Sequence, residues 1–265
     1  MNRFSGRVAF ITGGGTGIGA AVAQQFVAEG GKVLLMGRRA EPLQAVAAPL
    51  GDAASVFAGD AAAAADVRAA LAQASAVFGG VDVLVANAGG HGLGTLTETD
   101  DANWTLATHV NLDTAFVCMR EAMPQLLARR GNVVVLSSLA GHFAGPAVAG
   151  YVTMKHALIG LTRSVARDYG RLGVRVNAVC PGWVRTPMAD EQMQVLVEKF
   201  ALEDVDAAYA MVTRDVPLAR AATAQEVADA VLFLASHQAA MITGTSLMVD
   251  GGASAVDLPT LAFAS

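Results

Sequence analysis

Charge is scarce in this chain. Only 15% of its 265 residues are Asp, Glu, Lys or Arg, while 54% are hydrophobic, so much of its surface must be buried within the fold or between subunits. A basic excess is missing too. The net charge of −5 leaves nothing to neutralise a phosphate backbone, which excludes nucleic acid as a partner. The two cysteines, Cys118 and Cys180, are too few for a disulfide framework and read as buried reduced thiols. No apolar run reaches the roughly 18 residues of a membrane span. The first run, Val8 to Ile11, is far shorter than a signal-peptide core. A soluble, cytoplasmic protein without membrane contact is expected, and no metal.

Short β-branched runs alternate with longer Ala-rich, helix-prone stretches. Strands are expected at Arg7–Thr12, Lys32–Gly37, Ser55–Gly59, Asp82–Ala86, Gly131–Ser137, Val174–Cys180 and Ser246–Val249. Helices are expected at Gly17–Glu29, Glu41–Leu50, Ala62–Phe78, Asp101–Asp113, Thr114–Arg129, Gly150–Arg171 and Thr223–Ser236. Such alternation implies right-handed βαβ crossovers. The predicted fold class is α/β, a single-domain, Rossmann-like doubly wound parallel sheet with helices on both faces. No linker interrupts it, so residues 1–265 read as one domain. The exception to the rhythm is Thr186 to Pro217, a long excursion of the functional or mobile kind. Two short amphipathic helices, near Asp190–Phe200 and Val205–Val212, would make it a substrate lid.

Thr12-Gly13-Gly14-Gly15-Thr16-Gly17-Ile18-Gly19 follows the first strand and opens a helix. Glycines allow a tight turn and close approach of backbone to a pyrophosphate, and the helix N-terminus offers unpaired N–H groups to phosphate. About twenty residues on, where an acid would meet the ribose hydroxyls of NAD, stand Arg38 and Arg39. A guanidinium suits a 2′-phosphate, so NADP is favoured over NAD. The competing reading is two solvated loop charges.

Tyr151 and Lys155, four apart on a helix, share one face, with Ser138 thirteen positions before the Tyr. An ammonium beside a phenol favours the phenolate, lowering a pKa that starts near ~10. That would make Tyr151 an acid/base near neutral pH, and Ser138 could hold a substrate oxygen beside it.

The glycine loop at 12–19, Asn87-Ala88-Gly89 after the fourth strand, Asn111, Ser138, Tyr151-x-x-x-Lys155 and Pro181-Gly182 together resemble the short-chain dehydrogenase/reductase family, in its branch of about 250 residues. The likeness runs from Gly6 to about Gly252. It implies that Tyr151 exchanges the proton with the carbonyl or alcohol oxygen, and that Lys155 depresses the Tyr pKa and holds the nicotinamide ribose. Ser138 would polarise the substrate oxygen, and Asn111 would kink its helix and hold a relay water. It also implies that Gly13, Gly15, Thr16, Gly17, Ile18 and Gly19 cradle the cofactor, that Asp60 and Ala61 meet adenine, and that Asn87, Ala88 and Gly89 line the adenosine side. Pro181, Gly182, Val184 and Thr186 would meet nicotinamide and pyrophosphate. Singly, each has a plainer alternative: Asn111 as a helix breaker, Asp60 as an N-cap, Asn87-Ala88-Gly89 as a turn, Thr186-Pro187 as a loop.

The implied activity is hydride transfer between a nicotinamide cofactor and a secondary alcohol or its ketone, such as a sugar, polyol or cyclic alcohol. Candidate substrate contacts beyond Ser138 and Tyr151 are His91, His142 and Trp183, with Arg185 able to pair with a carboxylate. Against a hydroxy acid stands Ala140, where relatives acting on short hydroxy acids carry a His. The resemblance implies a homotetramer, and the apolar tail Ala253–Ser265 is expected to dock on a neighbouring subunit or near its active site. The rival readings are an NAD-linked catabolic dehydrogenase of a polyol, sugar or hydroxy acid, and a non-catalytic dinucleotide-binding redox sensor.

Overall fold

The computed structural model describes residues 2–263. Seven strands form one parallel sheet: β1 (Val8–Thr12), β2 (Lys32–Gly37), β3 (Ala54–Ala58), β4 (Val83–Ala86), β5 (Asn132–Leu136), β6 (Arg175–Pro181) and β9 (Ser246–Val249), in the order β3-β2-β1-β4-β5-β6-β9. The strands are continuous apolar runs because both faces are covered. Every residue of β1, β4 and β5 is buried. Phe10 and Leu84 pair in register and point into one layer, while Ala9 and Ile11 point into the other. The first layer packs under α3 (Ala64–Phe78), α5 (Thr114–Arg129) and α6 (Ala149–Tyr169); the second packs under α1 (Gly17–Ala28), α2 (Ala40–Ala47) and α9 (Ala224–Ala235). Strand order reverses between β1 and β4. At such a switch point the carboxyl ends of the strands part and leave a ligand crevice.

The amino ends of the strands carry a dense polar network. Asp82 accepts from the Val8 N–H at 2.9 Å and from Arg129 at 3.1 Å. Arg175 donates to the Leu234 and Ser236 carbonyls at 2.9 and 3.1 Å, and Asn177 to that of Ile242 at 2.9 Å. These bonds tie strand starts to the ends of α5 and α9 and to the loop before β9.

Two expectations shift. The helices read over 101–113 and 114–129 are joined. α4 (Asp101–Thr108) runs through a π-turn, His109–Asp113, directly into α5. The Asn111 amide, fully buried, inserts there and donates to the Ala107 carbonyl at 2.9 Å, which is how a side chain widens a helical turn. The excursion after β6 does fold as two helices, α7 (Pro187–Phe200) and α8 (Val205–Val212). Thr186 caps α7 and Pro187 takes its first position, so α7 starts earlier than periodicity suggests. The ends of the excursion are pinned by two short parallel strands that the sequence does not announce, β7 (Val184–Arg185) and β8 (Ala222–Thr223).

The lid has its own small core of Ala189, Met193, Ala208, Tyr209 and Ala221. The Tyr209 hydroxyl donates to Asp190 at 2.8 Å, joining α8 to α7. At the exit, Thr223 and Glu226 form a capping box at the start of α9. Glu226 also pairs with Arg220 at 2.6 Å. Arg220 and the Thr223 N–H hold the Glu226 carboxyl down to about 2, against a small opposing effect of burial.

Candidate active site and dinucleotide cleft

The glycine turn lies at the switch point. Gly13 has φ +63°, and a Cβ there would stand 2.8 Å from the Asn87 amide nitrogen; at Gly19 it would stand 2.3 Å from the Gly13 carbonyl oxygen. Neither position admits a side chain. Asn87 donates to the Thr12 and Gly13 carbonyls at 2.9 and 3.1 Å, and the Thr12 hydroxyl accepts from the N–H groups of Asn87 and Ala88 at 3.0 Å each. Asn87-Ala88-Gly89 is therefore more than a turn: it bolts the end of β4 to the glycine loop. Thr16 is the extended N-cap residue of α1 and makes no capping bond with its side chain. The N–H groups of the first turn at Gly17, Ile18 and Gly19 are left to an external anion. A cradle that a Cβ would fill, at the N-terminus of a twelve-residue helix, fits a dinucleotide pyrophosphate.

Thr186, at the root of the lid, closes the far side of this cradle. A Cβ on Gly17 would meet its Cγ2 at 3.1 Å. Met188 reaches across from α7, so that a Cβ on Gly90 would stand 2.6 Å from its Cε. Pro181 ends β6, Gly182 lies against Asp250, and Val184 is buried in β7. The lid root thus runs along the crevice from the end of β6 to the glycine cradle.

At the outer edge, Arg38 and Arg39 follow β2, both exposed. Neither makes an ion pair or a side-chain hydrogen bond among the described residues. Asp60 follows β3. Its Oδ1 accepts from the Ala62 N–H and its Oδ2 meets His109 Nε2, each at 2.9 Å. Burial raises the Asp60 pKa, but the Ala62 N–H, His109 and Arg38 outweigh it and hold the carboxyl below its ordinary value. It is not the N-cap of α3, which is Ala63. Ala61 is buried, and its carbonyl accepts from the Cys118 thiol at 3.4 Å.

The catalytic candidates converge where β5 meets α6. The Lys155 ammonium is buried and donates to the Leu136 carbonyl at 2.9 Å, while the Ser137 hydroxyl donates to the Lys155 carbonyl at 2.9 Å. These two bonds fix one turn of α6 against the end of β5. Ser138 is extended, and its hydroxyl accepts from the Ala140 N–H at 3.1 Å. Tyr151 lies one turn before Lys155, whose Nζ is 5.5 Å from its ring centroid. The Tyr151 N–H donates to the Gly92 carbonyl at 3.0 Å, holding the loop after β4 against the start of α6.

Asn111 completes the cluster. Its Oδ1 accepts from the Gly90 N–H at 2.9 Å and its amide also donates to the His91 carbonyl at 2.9 Å. A Cβ on Gly89 would meet Asn111 Oδ1 at 3.1 Å and Lys155 Nζ at 3.3 Å. Only a glycine lets the two groups close on one another here. Four chemical groups separated by up to 44 residues thus share one pocket edge.

The electrostatics depart from the expectation for Tyr151. Burial pushes its phenol above its ordinary value, and the Ser138 hydroxyl alone pulls it back. Lys155 does not depress it in this arrangement because its ammonium is turned to the Leu136 carbonyl. Lys155 itself is pushed down to about 8 by burial, Cys180 opposing slightly. Arg185 also departs from its expected role. It pairs with Asp206 and lies 4.4 Å over the Tyr209 ring, so it braces the lid.

His91 is exposed on the loop after β4. His142 follows the short turn that begins at Ser138, and its Nε2 is buried with no hydrogen-bond partner. Trp183 is 39% exposed between β6 and β7. Large apolar side chains flank the same loops: Leu93 after β4, Phe143 beside His142, and Met188 on the lid, all about half exposed or more. The residue that sequence reasoning passed over is His109. Only the i, i+2 relation to Asn111 could have flagged it, and that spacing means nothing until the π-turn is known.

The chain matches the family model described as enoyl-(acyl carrier protein) reductase over residues 13–254. It is 48% identical over 258 residues to Protein MoaE of Klebsiella aerogenes, covering 97% of this chain and 99% of that one. It is 37% identical to 2-(S)-hydroxypropyl-CoM dehydrogenase 3 of Xanthobacter autotrophicus, covering 96% and 99%. Among solved structures, the ligand-free aldohexose dehydrogenase of Thermoplasma acidophilum superposes with a TM-score of 0.87 at 32% identity, covering 97% of each chain. The chain belongs to the short-chain dehydrogenase/reductase family. It is an oxidoreductase of the kind that acts on CH–OH groups, with a fold whose relatives are dehydrogenases. No helix among the described residues is long and apolar enough to cross a membrane.

Proposed function

We propose that this protein interconverts an uncharged secondary alcohol and its ketone with NADP. The observation that carries this reading is the convergence of Ser138, Tyr151, Lys155 and Asn111 at the carboxyl edge of β5, beside a glycine cradle that fits a pyrophosphate. When bound, the nicotinamide supplies or accepts the hydride. The protein does the rest. Ser138 would polarise the substrate oxygen, Tyr151 would give or take its proton, and Lys155 would hold the nicotinamide ribose and lower the Tyr151 pKa. Asn111 holds the π-turn open for a relay to solvent.

NADP is favoured because Arg38 and Arg39 stand exposed and unpaired after β2, where a carboxylate would repel a 2′-phosphate. An uncharged substrate is favoured because Arg185 braces the lid and Ala140 offers no imidazole, while Leu93, Phe143, Trp183 and Met188 supply apolar walls. The aldohexose and the 2-(S)-hydroxypropyl-CoM in the names of relatives share a hydroxyl group, in line with an alcohol substrate, although the second also carries a sulfonate. A cytoplasmic location accords with two free, buried cysteines. A homotetramer would cover Phe116 on α5 and the edge strand β9, whose residues are all partly exposed. Phe263, in the apolar tail after Gly252, is 88% exposed and suits docking on a neighbouring subunit.

Fluorescence titration with NADPH and, separately, NADH tests the cofactor reading. Wild type should bind NADPH the more tightly, and Arg38→Asp should weaken NADPH roughly tenfold or more while sparing NADH. Unchanged NADPH affinity in that variant would remove Arg38 from the site.

A further inference from the structure

The π-turn His109–Asp113 presents two polar side chains in different directions, since residues two apart on a helix do not share a face. Asn111 reaches the loop after β4, at the reacting end of the crevice. His109 reaches the turn after β3, where Asp60 Oδ2 takes its Nε2 at 2.9 Å. The turn at Asp60 has two further tethers. The Asp66 carboxylate accepts from the Asp60 N–H at 2.8 Å, and the Cys118 thiol meets the Ala61 carbonyl. Both of those hold backbone. Among the described residues, His109 alone bonds the Asp60 carboxylate from outside its own turn, leaving the Oδ1 edge with the Ala62 N–H.

We propose that His109 is a positioning residue for the adenosine half of the dinucleotide, setting the Asp60 carboxylate against the adenine. This rests on the cofactor reading above. One widened helical turn then braces both ends of the crevice, the reacting end through Asn111 and the adenosine end through His109. His109 stands on the surface, with 43% of its side chain exposed, so its replacement should not unfold the protein.

The test is calorimetric titration of wild type, His109→Ala and His109→Gln with NADPH, with 2′,5′-ADP and 5′-AMP as adenosine fragments, and with reduced nicotinamide mononucleotide. His109→Ala should weaken NADPH and the adenosine fragments about fivefold, the worth of one hydrogen bond, and leave the mononucleotide unchanged. Gln, whose amide nitrogen can donate in the same direction, should restore most of the loss. In steady-state kinetics the KM for NADPH should rise without a matching fall in kcat. Asp60→Ala combined with His109→Ala should be no weaker than Asp60→Ala alone. Unchanged fragment affinity in a wild type that binds NADPH would overturn the positioning role and leave the cofactor reading standing, as would additive effects of the two substitutions. Failure of wild type to bind NADPH or NADH would overturn both.

Discussion

The two ends of the sheet differ in how they treat polar groups, with Asn132 Oδ1, buried and unpartnered at the start of β5, the exception at the amino end. At the amino ends, Asp82, Arg129, Arg175 and Asn177 are consumed by one another and by backbone carbonyls. At the carboxyl ends, the first-turn N–H groups of α1, the two exposed arginines after β2, the Tyr151 phenol and the buried Nε2 of His142 are held in place but not consumed. Buried polar groups cost free energy unless they are paired. The amino end therefore contributes rigidity. The carboxyl end tolerates unpaired groups because ligands would complete them. Stability and chemistry are divided along the same seven strands.

The sharpest division should come from Tyr151→Phe. It removes one oxygen from the carboxyl edge and touches nothing at the amino ends. Turnover should fall by about 10²–10⁴-fold, the range for a lost acid/base group, while the affinity for NADPH and the melting temperature stay close to wild type. Steady-state rates beside a binding titration check this. Activity near wild type would refute the assigned proton donor.

The opposite outcome is expected from Asp82→Ala. Asp82 is 7% exposed, and its removal takes an acceptor from the Val8 N–H and from the guanidinium groups of Arg129, at 3.1 Å, and Arg7, at 3.8 Å. Breaking such a network should destabilise the fold by about 3 kcal/mol, the low end for a buried pair because Arg129 remains one-third exposed. Urea unfolding measures the loss, and kcat per folded molecule should not change. A loss of kcat at full occupancy of the native state would show that the two ends are coupled.

How much of this was legible before folding follows the same line. The central strands could be read because both faces are covered, which turns each into an apolar run, and Lys32–Gly37 is recovered to the residue. The catalytic cluster and the glycine cradle could be read because their chemistry needs particular side chains at set spacings. The lid helices were legible from amphipathicity, but their anchoring was not: β7 and β8 are two residues each and exist only by pairing with one another. The π-turn and the contact of His109 with Asp60 were hidden, because both depend on where a helix lies relative to a strand end 49 residues earlier. The direction of the Tyr151 pKa is hidden from the sequence for a related reason. Sequence spacing puts a lysine beside it but does not tell that the ammonium turns to a backbone carbonyl.

Lys155, like Asn111, belongs to both regimes, and it gives the finest test. It sits at the carboxyl edge, yet it is buried and paired like a group of the amino ends. Its folded pKa is depressed to about 8 from an ordinary 10.5. Between these values the unfolded chain binds the additional proton, so this group makes stability rise with pH across that window and withdraws stability as pH falls through about 8. Cys118 and Cys180 act in the other direction. Burial raises them from 9.0 to about 12 and about 11, so their contribution declines once the unfolded thiols ionise. Subtraction separates the two. The difference in unfolding free energy between wild type and Lys155→Met, measured from pH 7.5 to 9.5 without cofactor, should move in favour of wild type as pH rises, with a slope approaching but not exceeding about 1.4 kcal/mol per pH unit. A flat difference would mean that Lys155 keeps its charge at the carboxyl edge, and that this group is satisfied there as completely as those at the amino ends.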